Sequence, residues 1–190
     1  MSRIVAFAGS ARRESVNRKL IAVAAPALRE AGTEVTVVEL ADYAMPLYDG
    51  DWEAEHGLPE EALALKQVVC AHDGFLLACP EFNGSITPLL KNTIDWLSRP
   101  APDERPMACF RGKTAALMSA APGAMGGMRG LVHVRAILGG IGVHVLPAQV
   151  ALPGAFSAFA EDGSLVDEAV AKRVVSLAEG LHALTSALAR

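Results

Sequence analysis

RIVAFAGSARRESVN, residues Arg3 to Asn17, joins a continuous apolar run to a short polar loop, after which helical spacing begins. Every position from Ile4 to Ala8 is apolar, the pattern of a strand buried on both faces of a parallel sheet. Leu20, Ala24, Ala27, Leu28 and Ala31 then recur at helical spacing, and Gly32 supplies a stop. Pro26 lies inside that helix, where it costs about 3 kcal/mol or bends the axis, so a kink is expected there.

The same alternation continues along the chain. Further strands are expected at Val35–Leu40, Gly74–Cys79, Lys113–Ser119 and Val143–Leu146. Ala62, Leu65, Val69 and His72 share one helical face, with Pro59 near the first turn. Thr87-Pro88 reads as the N-cap and first residue of a helix reaching about Ser98, ended by Arg99-Pro100. Met128 to Leu138 forms a helix that stops at Gly139-Gly140, and the last helix buries Val170, Val174, Leu177, Leu181, Leu184 and Leu188. Strands alternating with helices argue for one three-layer α/β sandwich over residues 1–190, with a parallel sheet and right-handed crossovers. Tyr43 to Leu58 and Pro147 to Gly163 are expected to be surface loops.

Bulk composition narrows the function. Apolar residues make up 52% of the 190, charged residues 20%, and the net charge is -4, a globular profile with no basic footprint for nucleic acid. No signal peptide and no apolar stretch of about 18 residues is visible. A cytoplasmic protein acting without a membrane is therefore expected. Cys70, Cys79 and Cys109 form no CxxC pair and read as buried small hydrophobes of a reducing compartment. His56, His72, His133, His144 and Cys109 lack ligand spacing, so no metal site is expected.

The loop after the first strand is suited to an anion. A helix N-terminus presents free N–H groups and partial positive charge. Ser10, Ser15 and Asn17 add side-chain donors, and Arg12 a charge-assisted one. On these residues alone, a plain turn with Ser15 or Asn17 as N-cap is equally open. Two other phosphate motifs are excluded. Gly9 is the only glycine before Gly32, so the GxGxxG fingerprint is missing; Gly112-Lys113-Thr114 has Met107 where a Walker A motif needs its first glycine, and a strand follows it. Lys113 is read as a solvated residue at a strand entry.

The third strand leads into PEFNGSITPLLKNTIDWLSRP, Pro80 to Pro100. With this segment the chain resembles the NADPH-dependent FMN reductase family, flavodoxin-like flavoproteins that include quinone and chromate reductases. Gly9 to Asn17 fits the family's GSxRxxSxN loop without a gap. Ser119, Pro122-Gly123, Gly126-Gly127 and Arg129 fit its SxxPGxxGGxR element, and the motifs come in family order. One departure is Phe82, where the family carries a tyrosine.

The resemblance implies a five-stranded parallel sheet in the order 2-1-3-4-5. It implies that Ser10, Arg12, Ser15 and Asn17 hold the phosphate of FMN. Pro80, Glu81, Phe82, Asn83, Gly84 and Ser85 would run past the ribityl chain and isoalloxazine edge, largely through backbone groups. Ser119, Pro122 and Gly123 would approach the ring from the fourth strand. All these loops follow strand ends at the switch in strand order, where doubly wound sheets bind ligands. The implied chemistry is ping-pong: NADPH or NADH gives hydride to the flavin N5, and a small-molecule acceptor such as a quinone, flavin or chromate takes the electrons. No protein side chain is assigned a catalytic step. A homodimer or homotetramer is also implied, and Trp52, Trp96 and Phe110, in or near loops, are candidate apolar contacts. Two other readings are an electron carrier like flavodoxin and a flavin redox sensor without reductase activity. Glu81 is either a general acid or a solvated or interface carboxylate. Arg129 meets either a nicotinamide cofactor's phosphate or a neighbouring subunit. Lys91 and Asp95 form an i, i+4 pair.

Overall fold

The structure is a computed structural model and describes residues 1–102 and 104–188. Its elements, in chain order, are β1 (Arg3–Ala8), α1 (Val16–Glu30), β2 (Glu34–Val37), α2 (Gly50–His56), α3 (Glu60–Cys70), β3 (Gly74–Ala78), β4 (Glu81–Phe82), β5 (Ser85–Ile86), α4 (Pro88–Ser98), β6 (Thr114–Ala120), α5 (Met128–Gly140), β7 (His144–Leu152) and α6 (Glu168–Leu188). Five strands make a parallel sheet in the order β2-β1-β3-β6-β7. Counting only those five, this is the expected 2-1-3-4-5 arrangement.

The apolar run of β1 divides between two cores because strand side chains alternate. Ile4, Ala6 and Ala8 pack beneath α1 and α6 with Leu20, Leu28, Val174 and Leu181. Val5 and Phe7 face the opposite layer with Leu65, Leu90, Leu97 and Leu131 from α3, α4 and α5. Both sheet faces are covered, so the central strands carry no polar alternation. Gly74 lets β3 and β6 meet: a Cβ there would stand 2.7 Å from the carbonyl oxygen of Thr114.

Helix α1 runs unbroken past Pro26, which is exposed, so the hydrogen bond it removes is lost on the solvent side. Thr33 N–H donates to the Leu28 carbonyl and Gly32 N–H, with φ +95°, to that of Arg29. This is a Schellman stop, which needs the left-handed residue that Gly32 supplies.

Several sequence expectations are corrected. Cys70, expected to be buried, is exposed, and so is Leu188 on the last helix. The stretch Tyr43 to Leu58 is not all loop: Asp49 caps α2 by accepting from the amides of Asp51 and Trp52. Its acidic first turn then stabilises a short helix. Pro147 to Leu152 belongs to β7, because this edge strand re-registers between Ala115 and Leu117 of β6 and continues to Leu152. Trp96 and Phe110 are core residues, 0% and 2% exposed, so neither is available to a partner. The Trp96 indole N–H donates to the Pro46 carbonyl at 2.7 Å, satisfying its polar atom inside the core. Lys113 is half-buried and donates to the His72 carbonyl; burial pushes its pKa down. Lys91 and Asp95 do pair, at 2.7 Å on an exposed face.

Candidate functional site

The carboxyl ends of β1, β3 and β6 open onto one edge of the sheet. Chain direction therefore brings three segments together: the loop 9–15, the segment 80–87 and the turn 121–127. Two adjoining cavities lie among them. One, of about 110 Å³, is bounded by Ser10, Arg12, Ser15, Asn17, Pro80 and Pro122. The other, of about 450 Å³, is bounded by Asn83, Gly84, Pro122, Gly123, Gly127 and Arg129. Glu81, Ala121 and Pro122 line both.

The smaller cavity sits on the N-terminus of α1. Ser15 occupies the N-cap position but its side chain makes no capping hydrogen bond. Among the described residues, the amides of Val16, Asn17 and Arg18 have no partner, and the first turn carries no acid. The plain-cap reading of this loop is thereby disfavoured, since the hydroxyl that should satisfy these amides does not. The Arg12 guanidinium is exposed and has no partner among the described residues. Arg18 holds the loop in shape instead, donating to the Arg12 and Arg13 carbonyls at 3.3 Å and pairing with Glu39 at 2.8 Å. Unpaired amides, a free hydroxyl and a free guanidinium form a donor set that fits a phosphate-like dianion, and the exposed Glu14 carboxylate stands at the edge of the same cavity.

Asn17 is used differently from its neighbours. It is 2% exposed, and its carboxamide is spent on the backbone of Ala120. Of its groups, the backbone amide remains toward the loop.

Thr87 fastens the second segment to the first. Its hydroxyl donates to the Gly9 carbonyl at 2.8 Å while accepting the Leu90 amide at 3.2 Å as the cap of α4. Gly9 has no room for a side chain: a Cβ would lie 3.0 Å from the Cβ of Leu90. Between Pro80 and Thr87 the chain is a β-hairpin, β4 pairing with β5 antiparallel. Asn83 and Gly84 have φ of +51° and +80°, the two-residue turn that an Asn-Gly pair favours. That dipeptide is a hairpin signal the sequence reading passed over.

The hairpin is pinned by Glu81. Its carboxylate accepts from Arg129 Nε at 2.9 Å and Nη2 at 2.5 Å, and from the Gly130 amide at 3.2 Å. Burial acts to raise the Glu81 pKa, but the Arg129 and Gly130 hydrogen bonds outweigh it and hold the carboxyl below its ordinary value. An ionised, doubly paired carboxylate is not a general acid. Gly130 lets α5 approach, since a Cβ would lie 3.2 Å from the Ser85 carbonyl. The Ser85 hydroxyl meets His133 Nδ1 at 2.8 Å. Phe82 projects outward, 55% exposed.

Ser119 is wholly buried, and its hydroxyl has no hydrogen-bond partner among the described residues. It lies under Gly127, where a Cβ would come within 1.9 Å of Oγ, and bounds neither cavity. Pro122 and Gly123 do face the cleft. Several lining residues escaped the sequence reading, Ala120 and Ala124 among them. Ala121 and Met125 flank motif residues; Phe156, 77% exposed, comes from beyond β7, where no local pattern marks it.

No helix among the described residues is long and apolar enough to cross a membrane. The probable NADPH:quinone oxidoreductase 2 of Oryza sativa subsp. japonica is 33% identical over 186 residues, spanning 95% of this chain and 87% of that protein. An NAD(P)H-dependent FMN reductase of Pseudomonas aeruginosa is 39% identical over 133 residues, 69% of each chain. The solved flavoenzyme NAD(P)H:(acceptor) oxidoreductase FerB from Paracoccus denitrificans superimposes with a TM-score of 0.83 at 26% identity, covering 98% of both chains. Residues 2–157 match the sequence model described as NADPH-dependent FMN reductase, and the chain belongs to that family of oxidoreductases.

Proposed function

We propose that residues 1–190 act as one FMN-binding domain of an NAD(P)H-dependent reductase. The observation that carries this reading is the uncapped start of α1, with the free Arg12 and Ser15 beside it, opening directly into the cleft under the hairpin. The amides of Val16, Asn17 and Arg18 would hold the phosphate of FMN, with Ser10, Arg12 and Ser15 adding side-chain donors. Asn17 contributes its backbone and braces β6 with its side chain. Pro80 to Ser85 and the turn Pro122-Gly123 bound the ring-sized part of the cleft, and Ser119 supports that turn from below.

The chemistry supplied by the bound cofactor is acceptance of hydride at N5 from NADPH or NADH, then delivery of electrons to a quinone, flavin, chromate or similar acceptor in ping-pong order. The chain's own residues bind and orient. Glu81, neutralised by Arg129, keeps the hairpin closed on α5 without placing a free negative charge at the cleft. Phe82 offers an apolar ring to a flat acceptor at the outer rim. The exposed rim suits a homodimer or homotetramer in the cytoplasm.

Reconstitution with FMN tests the reading: stoichiometric uptake, followed by NAD(P)H oxidation that depends on an added quinone, is expected. A purified chain that takes up no FMN overturns it. Parallel double-reciprocal lines with quinone as the varied substrate check the ping-pong order, and light scattering checks the assembly.

A further inference from the structure

The end of the sheet opposite the flavin cleft holds a second chemically distinctive group. Cys70, the last residue of α3, and Cys109, just before β6, place their sulfurs 3.5 Å apart. They come from segments 39 positions apart, and the two thiols are unlike in access: Cys70 is exposed, whereas Cys109 is 0% exposed. Cys70 opens into a cavity of about 240 Å³ that Arg111, Lys113, Asp73 and Thr185 also line. On the buried side, the Lys66 ammonium lies 3.7 Å from Cys109 Sγ and is paired with Glu104 at 2.9 Å. It also donates to the Leu97 and Arg99 carbonyls. The third cysteine, Cys79, is buried with no thiol beside it.

We propose that Cys70 and Cys109 are a reversible redox pair, which hydrogen peroxide closes into an intramolecular disulfide through the Cys70 cavity. The asymmetry of the pair sets the order of events. Burial pushes the Cys109 thiol up to about 12, so it is protonated at neutral pH and sealed from solvent. The exposed Cys70 is the sulfur that peroxide reaches. Its thiolate attacks one peroxide oxygen, forming a sulfenic acid and releasing hydroxide. Cys109 sulfur then attacks Cys70 sulfur: the S–S bond forms, the S–O bond breaks, and the thiol proton leaves with the hydroxyl as water. The hydroxide takes up the proton that the Cys70 thiol gave up, so two thiols are oxidised by two electrons and one peroxide becomes two waters. Lys66 is placed to stabilise the negative charge that develops on Cys109 as its proton departs. The sulfurs stand 3.5 Å apart and close to the bonded distance of about 2.05 Å as the disulfide forms.

The bond would tie α3 to the turn before β6 and enclose β3, the hairpin and α4 in one covalent loop. Such a loop restricts the unfolded chain, so oxidation should stabilise the fold.

The test uses the full chain, with or without FMN, since the pair does not touch the flavin cleft. Peroxide treatment is followed by thiol alkylation, proteolysis and mass mapping. A peptide linked through Cys70 and Cys109, with Cys79 alkylated, is the expected result, and dithiothreitol should restore both thiols. Thermal melting should shift upward by several degrees on oxidation, and the Cys70→Ser chain should show neither shift nor linked peptide. Cys70 is exposed, so this variant should fold. Irreversible sulfinic acid at Cys70, disulfide-linked dimers with Cys109 left alkylatable, or two thiols unchanged by peroxide would each overturn the proposal.

Discussion

The carboxamide of Asn17 and the backbone of Ala120 form a reciprocal hydrogen-bonded pair across 103 positions of sequence. Nδ2 donates to the Ala120 carbonyl at 2.9 Å, and Oδ1 accepts the Ala120 amide at 2.9 Å. Ala120 ends β6, so this pair fixes the first turn of α1 against the strand from which the turn 121–127 departs. The N-terminus of α1 and the base of the turn 121–127 are thereby tied to one another.

Removing that strut should be costly. Asn17→Ala leaves one buried N–H and one buried C=O without partners, each worth about 1–3 kcal/mol, so a loss of roughly 2–6 kcal/mol is expected in urea unfolding. Asn17→Asp sets an oxygen against the Ala120 carbonyl and should be no better. A variant as stable as the parent chain would show that water replaces the carboxamide without cost.

Arg12 makes a different prediction because its guanidinium has no partner among the described residues. Arg12→Ala should leave the melting temperature within about one degree, since exposed substitutions away from such contacts shift stability by less than about 0.5 kcal/mol. FMN affinity should fall about 10- to 100-fold, the range of one charge-assisted hydrogen bond. Turnover should return as FMN is added in excess. Equilibrium fluorescence titration separates the outcomes; lost turnover with FMN fully bound would refute an anchoring role.

How much of this was legible beforehand depends on range. The sheet order and the meeting of three loops follow from apolar runs and strand direction, both written locally in stretches such as Ile4–Ala8. The loop Gly9 to Asn17 showed its donor types but not their use, because whether Ser15 caps its own helix is decided by rotamer, not identity. Asn17 shows its donor side chain in the sequence, but the fold spends that side chain on Ala120, a partner that sequence spacing cannot reveal. Glu81 and Arg129 stand 48 positions apart, and only the fold makes them one ion pair. Trp96 sat near a motif end and looked peripheral; its burial depends on Pro46 arriving from a distant segment. Phe156 had no signal at all.

The Glu81–Arg129 pair should give stability a defined acid limb. The folded-state pKa of Glu81 lies below the ordinary value of 4.5, so its contribution is complete above 4.5 and is lost as pH falls through the folded value. Glu81→Gln should be less stable than the parent at neutral pH, and the difference should shrink on acidification below 4.5. Urea midpoints measured on both sides of that value check the sign. A gap that widened in acid would mean Glu81 is protonated in the folded chain.

Gly127 and Ser119 carry the last prediction, because the turn over the sheet edge depends on what is absent from one and unpaired on the other. A Cβ at position 127 would meet Ser119 Oγ at 1.9 Å and Ser119 Cβ at 2.8 Å, and the residue sits at φ +87°. Gly127→Ala should therefore cost well over 2 kcal/mol, the sum of backbone strain of about 1–3 kcal/mol and a clash. Adding Ser119→Ala removes the oxygen but neither the Cβ contact nor the strain, so only part of the loss should return. Ser119→Ala alone deletes a buried hydroxyl that has no partner, and its stability should equal or exceed the parent's. FMN titration of that single variant then decides what the hydroxyl does. Affinity within twofold of the parent means Ser119 acts only as packing beneath Gly127. A large loss of affinity in an undiminished fold would mean the turn lifts on binding and lets the hydroxyl reach the ring.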